Sequence, residues 1–205
     1  LFDVSHMGFF EFHGDQVLSW LNSIGTQNFT NFTIGKCGYT HFLDQNGYII
    51  DDMIFAVNSE NSIFGVPNAS MISTMWEWFN SKLPSDGSIK INDLSKETSI
   101  IALQGPESVT ILRDVLGEEN IVSRFSCQKI AKNDLQITGW IQGTGYTGER
   151  GFEIFIPNNQ AANLWESLIK FGSTPVGLGA RDTLRLEKGY LLSGQDFLWP
   201  GLGID

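Results

Sequence analysis

The sequence has few cysteines and lacks the apolar and basic segments that mark several classes of protein. Its 205 residues include only Cys37 and Cys127. Two cysteines are too few for a disulfide framework, and no Cys-x-x-Cys pair indicates zinc, so a reducing compartment is expected. No apolar run reaches the roughly 18 residues of a membrane span, and no basic segment at the start resembles a signal peptide. We therefore predict neither a membrane association nor a metal site.

Positive charge is also scarce. The chain has 13 Lys and Arg residues against 23 Asp and Glu residues, which gives a formal net charge of −10. Because no basic stripe is available to release counterions from phosphates, nucleic acid is excluded as an expected partner. Hydrophobic residues make up 41% of the chain and charged residues 18%, which is ample for a buried core. These values are typical of a globular protein that binds a small molecule or another protein.

Most standard catalytic motifs are missing. The chain contains no G-x-S-x-G, no H-E-x-x-H and no P-loop. Gly143–Gly148 satisfies the dinucleotide-binding pattern G-x-G-x-x-G, which requires a helix directly after it. The following residues, Phe152–Pro157, alternate as a strand does and stop at a proline. The stretch is therefore interpreted as a glycine-rich hairpin rather than a nucleotide site.

Hydrophobic periodicity predicts strands that alternate with helices along the whole chain. Asn46-Gly47 is a strong hairpin signal, since both residues tolerate a positive φ. Lys129–Gly143 is predicted as one strand and Leu198–Asp205 as a loop. The order strand, helix, two strands, helix occurs twice, which predicts an α+β fold of ferredoxin-like βαββαβ units. We expect one unit over residues 1–96 and a second over residues 97–205.

The adjacent carboxylates of Asp51 and Asp52 form the first candidate site. On a strand their side chains point to opposite faces, so they are not expected to act as one carboxylate pair. Both faces are otherwise apolar, with Ile50 and Ile54 beside Asp52 and with Met53 beside Asp51. Since burial of a carboxylate is costly without a partner, at least one of the two needs a compensating contact. A functional role and a strand-end capping role are equally open on residues alone.

Glu153 and Arg181 are the second and third candidates. Glu153 shares its strand face with Gly151, and a missing side chain there suits the edge of a ligand. Arg181 follows Gly177 and Gly179, which would let a ligand approach the first helical turn. Taken singly, both residues are better explained as ordinary structural charges.

Taken together, five motifs occur in one order and closely resemble the aminomethyltransferase family, the T-protein of the glycine cleavage system. They are LFDVSHMG at Leu1–Gly8, the hairpin with Asn46-Gly47 and Asp51-Asp52, LQGP at Leu103–Pro106, GYTGERGFE at Gly145–Glu153, and ARDTLRLEKGY at Ala180–Tyr190. The likeness runs from the first residue to about Asp196. Family members begin some tens of residues earlier and continue into a C-terminal barrel domain, which is not expected in this partial chain.

The resemblance implies a tetrahydrofolate-dependent aminomethyltransferase whose α+β domains form a cloverleaf around a folate pocket. In the family, the aminomethyl group arrives on the lipoyl arm of a carrier protein, the H-protein. Its carbon passes to tetrahydrofolate and ammonia is released. The expected location is the cytoplasm, or the mitochondrial matrix if the source is eukaryotic.

The matching motifs also imply roles for individual residues. Asp52 is expected to be the catalytic aspartate, near N10 of the folate. Glu153 is expected to hold the pterin, with Arg181 in the same pocket. The remaining pocket positions are Met7, Tyr39, Tyr146 and Tyr190.

Three alternatives share parts of this pattern. Folate-dependent demethylases of methylated amines, sulfonium compounds or methoxyaromatics have the same folate pocket, and Val66–Ser70 departs from the VVNA-type residues of many members. A branch that serves iron–sulfur assembly carries a cysteine where this chain has Gly145–Gly148, which counts against that branch. A non-catalytic folate-binding protein is the third alternative.

Overall fold

The computed structural model describes residues 1–202, and the last three residues of the predicted loop Leu198–Asp205 lie outside this range. Within it the chain forms ten strands: β1 (Phe2–Asp3), β2 (Phe10–His13), β3 (Cys37–Leu43), β4 (Ile49–Ser59), β5 (Ser62–Val66), β6 (Lys90–Asp93), β7 (Thr98–Gln104), β8 (Cys127–Lys129), β9 (Trp140–Gln142) and β10 (Gly151–Pro157). The same residues form five α-helices: α1 (Val17–Ile24), α2 (Ile72–Lys82), α3 (Ser108–Leu116), α4 (Ala161–Lys170) and α5 (Leu178–Lys188). The expected α+β class is confirmed.

The chain folds into two compact units, each built from two segments. The Asp52 unit comprises Met7–Ser95 with residues 191–202, and the Glu153 unit comprises Leu1–His6 with Lys96–Tyr190. The observed division thus differs from a single cut between residues 96 and 97. The reason lies in β1, because Phe2 and Asp3 pair antiparallel with Ala102 and Ile101 of β7 in the Glu153 unit.

Each unit has one five-stranded sheet with ferredoxin-like order. The Asp52 unit has the order β3-β4-β5-β2-β6, and the Glu153 unit has the order β1-β7-β10-β9-β8. In both sheets the neighbouring strands pair antiparallel throughout. Four strands of each sheet follow the βαββαβ order, and β3 or β8 adds a fifth strand at one edge. In the Glu153 unit the last of the four positions is filled by β1, which comes from the start of the chain.

The two cores differ in composition. In the Asp52 unit the ring of Phe79 on α2 meets Phe12 and Phe42 edge-to-face, with ring centroids 4.9 and 5.0 Å apart. Aromatic pairs of this geometry contribute about 0.5–1.5 kcal/mol beyond the area they bury. The core of the Glu153 unit is largely aliphatic, with Leu112 of α3 and Leu164 of α4 packed against the strands. The apolar stripe of α2, with Met75 and Phe79, is therefore core packing.

One predicted strand is wrong. The segment predicted as the single strand Lys129–Gly143 is a hairpin, in which β8 and β9 pair with each other across residues 130–139. Asn133 closes this loop, since its side chain accepts from the backbone N–H of Ile137 and donates to its carbonyl oxygen. Gly139 then takes φ +132°, a conformation that residues with a Cβ rarely adopt.

Candidate functional site

The first cluster of predicted residues lies in the Glu153 unit, around the middle strand β10. Glu153 pairs with Ala102 of β7 on one side and with Gln142 of β9 on the other. The flanking residues Phe152 and Ile154 are fully buried in the aliphatic core. Strand alternation therefore turns Glu153 to the face opposite the core, where its side chain is half-buried.

The carboxylate of Glu153 accepts a hydrogen bond from Thr144, with Oγ1 to Oε2 at 2.5 Å. Burial raises the pKa of Glu153, while the Thr144 hydrogen bond and the positive charge of Arg181 act in the opposite direction. Desolvation is the largest of these effects, because it penalises the charged form. The other carboxylate oxygen, Oε1, has no hydrogen bond within residues 1–202. The site can thus offer a strong acceptor to a ligand that brings its own donors.

The space beside Gly151 is not open to a ligand, which corrects the interpretation from sequence. A Cβ at Gly151 would lie 2.3 Å from the side chain of Gln104, and a Cβ at Gly145 would lie 2.0 Å from it. The Gln104 amide fills this space and donates to the carbonyl oxygens of Thr144 and Phe152, at 3.1 and 3.2 Å. The two glycines therefore admit a glutamine that ties the glycine-rich hairpin to β7.

Arg181 stacks on the aromatic residues of the same unit. Its guanidinium lies 4.6 Å from the ring centroid of Tyr146. The ring of Tyr146 in turn stacks on Tyr190, with centroids 6.0 Å apart and planes inclined by 26°. Burial lowers the pKa of Arg181, whereas the charge of Glu153 raises it. The structure thus brings Glu153, Arg181, Tyr146 and Tyr190 together.

The start of α5 is open in the way that its glycines predict. A Cβ at Gly177 or at Gly179 would meet no atom within 4 Å. Within the helix Asp182 pairs with Arg185, with Nε to Oδ1 at 2.8 Å. Arg185 is buried and also donates to the carbonyl oxygen of Tyr190. Arg185 is therefore a structural residue that holds Tyr190 near Tyr146.

The second cluster lies in the Asp52 unit, on the hairpin of β3 and β4. Asp52 lies opposite His41, and Tyr39 lies opposite Ile54. Tyr39 donates from its hydroxyl to Oδ2 of Asp52 at 2.5 Å, and the same hydroxyl lies 3.2 Å from Nε2 of His41. Asp52 is half-buried, and Tyr39 is 37% exposed. The carboxylate of Asp52 is therefore partly accessible while its orientation is held by Tyr39.

A bulge modifies the strict alternation that the sequence suggests for β4. Phe42 pairs with Asp51 but Leu43 pairs with Ile49, so Ile50 is an extra residue. As a result Ile50 and Asp51 are both buried, at 1% and 0% exposure. Ile50 therefore belongs to the core and does not accompany Asp52. Burial raises the pKa of Asp51 to about 7, with Asn68 hydrogen bonds opposing the shift and the Asp52 charge adding to it.

Asn68 joins the two aspartates. Its side-chain nitrogen donates to Oδ1 of Asp51 and to Oδ1 of Asp52, each at 2.7 Å. Its backbone N–H donates to Oδ2 of Asp51 at 3.2 Å. The two carboxylates are therefore linked through one amide despite their different burial.

Sequence reasoning missed Asn68, Thr144 and Gln104, which hold the candidate residues in place. In the sequence Asn68 stands out only as part of Val66–Ser70, the stretch that departs from the VVNA-type residues. A buried aspartate requires a donor, but its position cannot be read from spacing. Met7, the remaining predicted residue, is half-buried and follows β1 by a few residues. The backbone of the next residue, Gly8, donates to the carbonyl oxygen of Pro67 at 3.1 Å.

Within residues 1–202, no group of three or more His, Cys, Asp or Glu side chains could hold a metal ion. No helix in this range is both long and apolar enough to cross a membrane.

Comparisons with known proteins agree with one another. Residues 1–198 match the model of the family described as GCVT N-terminal domain. The aminomethyltransferase of Chlorobium limicola is 38% identical over 202 residues, which cover 96% of this chain and 55% of that protein. The aminomethyltransferase of Synechocystis is 39% identical over 201 residues, which cover 96% of this chain and 53% of that protein. This chain thus spans about half the length of these relatives.

A solved structure agrees with this result. The glycine cleavage system aminomethyltransferase T from Bartonella henselae superposes with a TM-score of 0.85 at 29% identity, and the match covers 96% of this chain and 52% of that one.

Proposed function

Because the chain belongs to the GCVT N-terminal domain family, we propose that the full-length protein is a tetrahydrofolate-dependent aminomethyltransferase of the glycine cleavage system. It would take the one-carbon unit from an aminomethylated lipoyl carrier protein, the H-protein, and transfer it to tetrahydrofolate with release of ammonia. The observation that carries the proposal is the cluster in the Glu153 unit, where an acceptor carboxylate lies near an arginine stacked on a tyrosine pair. We assign folate recognition to this cluster and catalysis to Asp52.

The Glu153 cluster matches the chemistry of a pterin. A pterin presents an amino group beside a ring N–H, and these two parallel donors suit one carboxylate. Thr144 donates to Oε2 of Glu153 from within the protein, which fixes the carboxylate before any ligand arrives. The stacked rings of Tyr146 and Tyr190 offer flat faces of the kind that pack well against aromatic groups. Burial raises the pKa of Glu153, and the Thr144 hydrogen bond and the positive charge of Arg181 partly oppose that shift.

Asp52 has the features of a group that orients an amine during proton transfer. Its carboxylate is half-buried and receives hydrogen bonds at both oxygens, from Tyr39 and from Asn68. A carboxylate fixed in this way can accept the proton of a substrate amine with its remaining lone pairs. In the proposed reaction that amine is N10 of tetrahydrofolate, whose proton must leave as the bridging carbon bond forms.

The experiment uses the full-length protein, since this chain spans about half of its relatives. Tetrahydrofolate is titrated by calorimetry, and turnover is then compared between an aminomethylated lipoyl carrier and free methylated donors. Methylenetetrahydrofolate and ammonia formed only from the lipoyl carrier would support the proposal. Turnover of a methylated amine, sulfonium or methoxyaromatic donor without the carrier would instead identify a demethylase. Binding of folate without turnover of any donor would identify a non-catalytic folate-binding protein.

A further inference from the structure

Two residues outside the proposed reaction, Asn68 and Asp51, are linked to the carboxylate of Asp52: Asn68 donates to it, and Asp51 accepts from Asn68. Asn68 has two side-chain hydrogens to donate, and three acceptors lie within reach. They are Oδ1 of Asp51 and Oδ1 of Asp52, both at 2.7 Å, and the carbonyl oxygen of Asp52 at 3.1 Å. All three are oxygens, so the amide nitrogen, and not its oxygen, must face the aspartates. The direction of this amide is therefore set by its partners.

Asp51 is the anchor of this arrangement. Its carboxylate accepts the side chain of Asn68 at one oxygen and the backbone N–H of Asn68 at the other. Asp51 is fully buried, so water does not compete for these bonds. Burial of a carboxylate costs free energy. For Asp51 that cost is raised further by the negative charge of the neighbouring Asp52. Packing alone would favour an apolar residue here, as at Met53 and Phe55 on the same strand.

The contacts at Asp52 complete the arrangement. Tyr39 binds Oδ2 and Asn68 binds Oδ1, so the plane of the carboxylate is held from both sides. We propose that Asn68, anchored by the buried carboxylate of Asp51, is a positioning residue that orients Asp52 for proton transfer. This inference rests on the proposed function of Asp52. It concerns a residue that donates to Asp52 and the buried carboxylate that holds that residue, and neither is assigned to the folate.

The test is a double-mutant cycle in the full-length protein. Asn68→Ala removes the amide but leaves Asp52 and Tyr39 in place. Because a displacement of about 1 Å can cost about 10²-fold in rate, kcat should fall by up to that factor while the tetrahydrofolate Kd changes far less. In the Asp52→Asn background the same Asn68→Ala change should have almost no further effect, since it acts through Asp52. Equal losses in both backgrounds, or no loss in the wild type, would overturn the proposal.

Two further variants complete the design. Asn61→Ala is the matched control, because Asn61 also donates its side-chain amide to an aspartate, Asp15 at 3.1 Å, on the surface of the same unit. It should leave kcat unchanged. Asp51→Asn has the same size but offers only one acceptor oxygen to the two donors of Asn68. If Asn68→Ala does not fold, Asp51→Asn should still show a several-fold loss of kcat that disappears in the Asp52→Asn background, and an undiminished loss there would count against the proposal.

One readout does not require turnover. The ¹³C carboxyl resonance of Asp52, followed by NMR, should move in Asn68→Ala and stay in place in Asn61→Ala. If the wild type is inactive but the Asp52 resonance moves in Asn68→Ala, the proposed function is refuted and the positioning contact stands. If the wild type is active but Asn68→Ala changes neither the Asp52 resonance nor kcat, the positioning role alone is refuted.

Discussion

The substitution Glu153→Gln tests how the proposed pterin site works. The change keeps the size of the side chain but replaces one acceptor oxygen with an amide that donates. In the wild type Thr144 occupies one lone pair of Oε2, and the carboxylate has enough remaining lone pairs for two ligand donors. The glutamine has one oxygen, so either Thr144 or one pterin donor loses its acceptor.

The cost of that loss sets the expected magnitude. A buried donor left without an acceptor costs roughly 1–3 kcal/mol, and each 1.4 kcal/mol is about ten-fold in affinity. The tetrahydrofolate Kd measured by calorimetry should therefore rise about ten-fold or more. Because burial raises the pKa of Glu153, wild-type affinity should also begin to fall, as pH decreases, at a higher pH than for an ordinary glutamate. Glu153→Gln should lack this pH dependence.

A control separates this effect from charge loss in general. Glu166 is an exposed glutamate on α4 in the same unit, and Glu166→Gln should leave the Kd unchanged. The unfolding midpoint of Glu153→Gln should be equal to or above that of the wild type, since the substitution removes a desolvated charge. Unchanged tetrahydrofolate affinity in a folded Glu153→Gln protein would remove this residue from the binding site.

Three further predictions concern stability and pH. Burial raises the pKa of Asp51 from 3.8 to about 7, so between these pH values the folded state keeps a proton that the unfolded chain has lost. The contribution of Asp51 to the free energy of unfolding should therefore fall by about 4 kcal/mol as pH rises across this window. Denaturation with urea should show that loss as the difference in pH dependence between the wild type and Asp51→Asn, and an equal pH dependence in the two proteins would contradict the assignment. Arg181→Gln removes a charge that lowers the pKa of Glu153, so the pH below which tetrahydrofolate binding weakens should move upward; a titration series that shows no movement would refute the coupling. Gly139→Ala would place a Cβ 2.0 Å from the carbonyl oxygen of Phe155 at φ +132°, and the melting temperature should fall by several degrees at least; an unchanged melting temperature would mean that the hairpin of β8 and β9 relaxes freely.

Local signals in the sequence were sufficient for the elements that depend on neighbouring residues. Asn46-Gly47 indicates a hairpin, and Gly47 takes φ +84° between β3 and β4. The apolar stripe around Phe79 indicates a core helix, and the ring is fully buried among other aromatic rings. These features are encoded within a few residues, so periodicity and turn chemistry can find them.

The features that sequence reasoning missed depend on residues far apart in the chain. The space beside Gly151 is filled by the side chain of Gln104, which comes 47 positions earlier in the chain. From the sequence alone, Gly151 therefore suggested room for a ligand. The bulge at Ile50 arises because Phe42 and Leu43 of β3 pair with Asp51 and Ile49 of β4. No local pattern in the sequence of β4 predicts it. Asn68 meets Asp51 only because β5 returns beside β4. Such tertiary contacts override local alternation and set the details of a site.

The central claim is that Asp52 performs chemistry in the full-length protein rather than simply lining a folate site. The most direct test is a single-turnover measurement of methylenetetrahydrofolate formation from the aminomethylated lipoyl carrier, with wild type and Asp52→Asn at saturating tetrahydrofolate. The amide keeps the size of the carboxylate but loses its charge, and general acid–base catalysis of this kind is typically worth about 10²–10⁴-fold. We expect the rate constant of Asp52→Asn to fall by a factor in that range while its tetrahydrofolate Kd stays within a few-fold of the wild-type value. Equal rate constants in the two proteins would contradict the catalytic assignment.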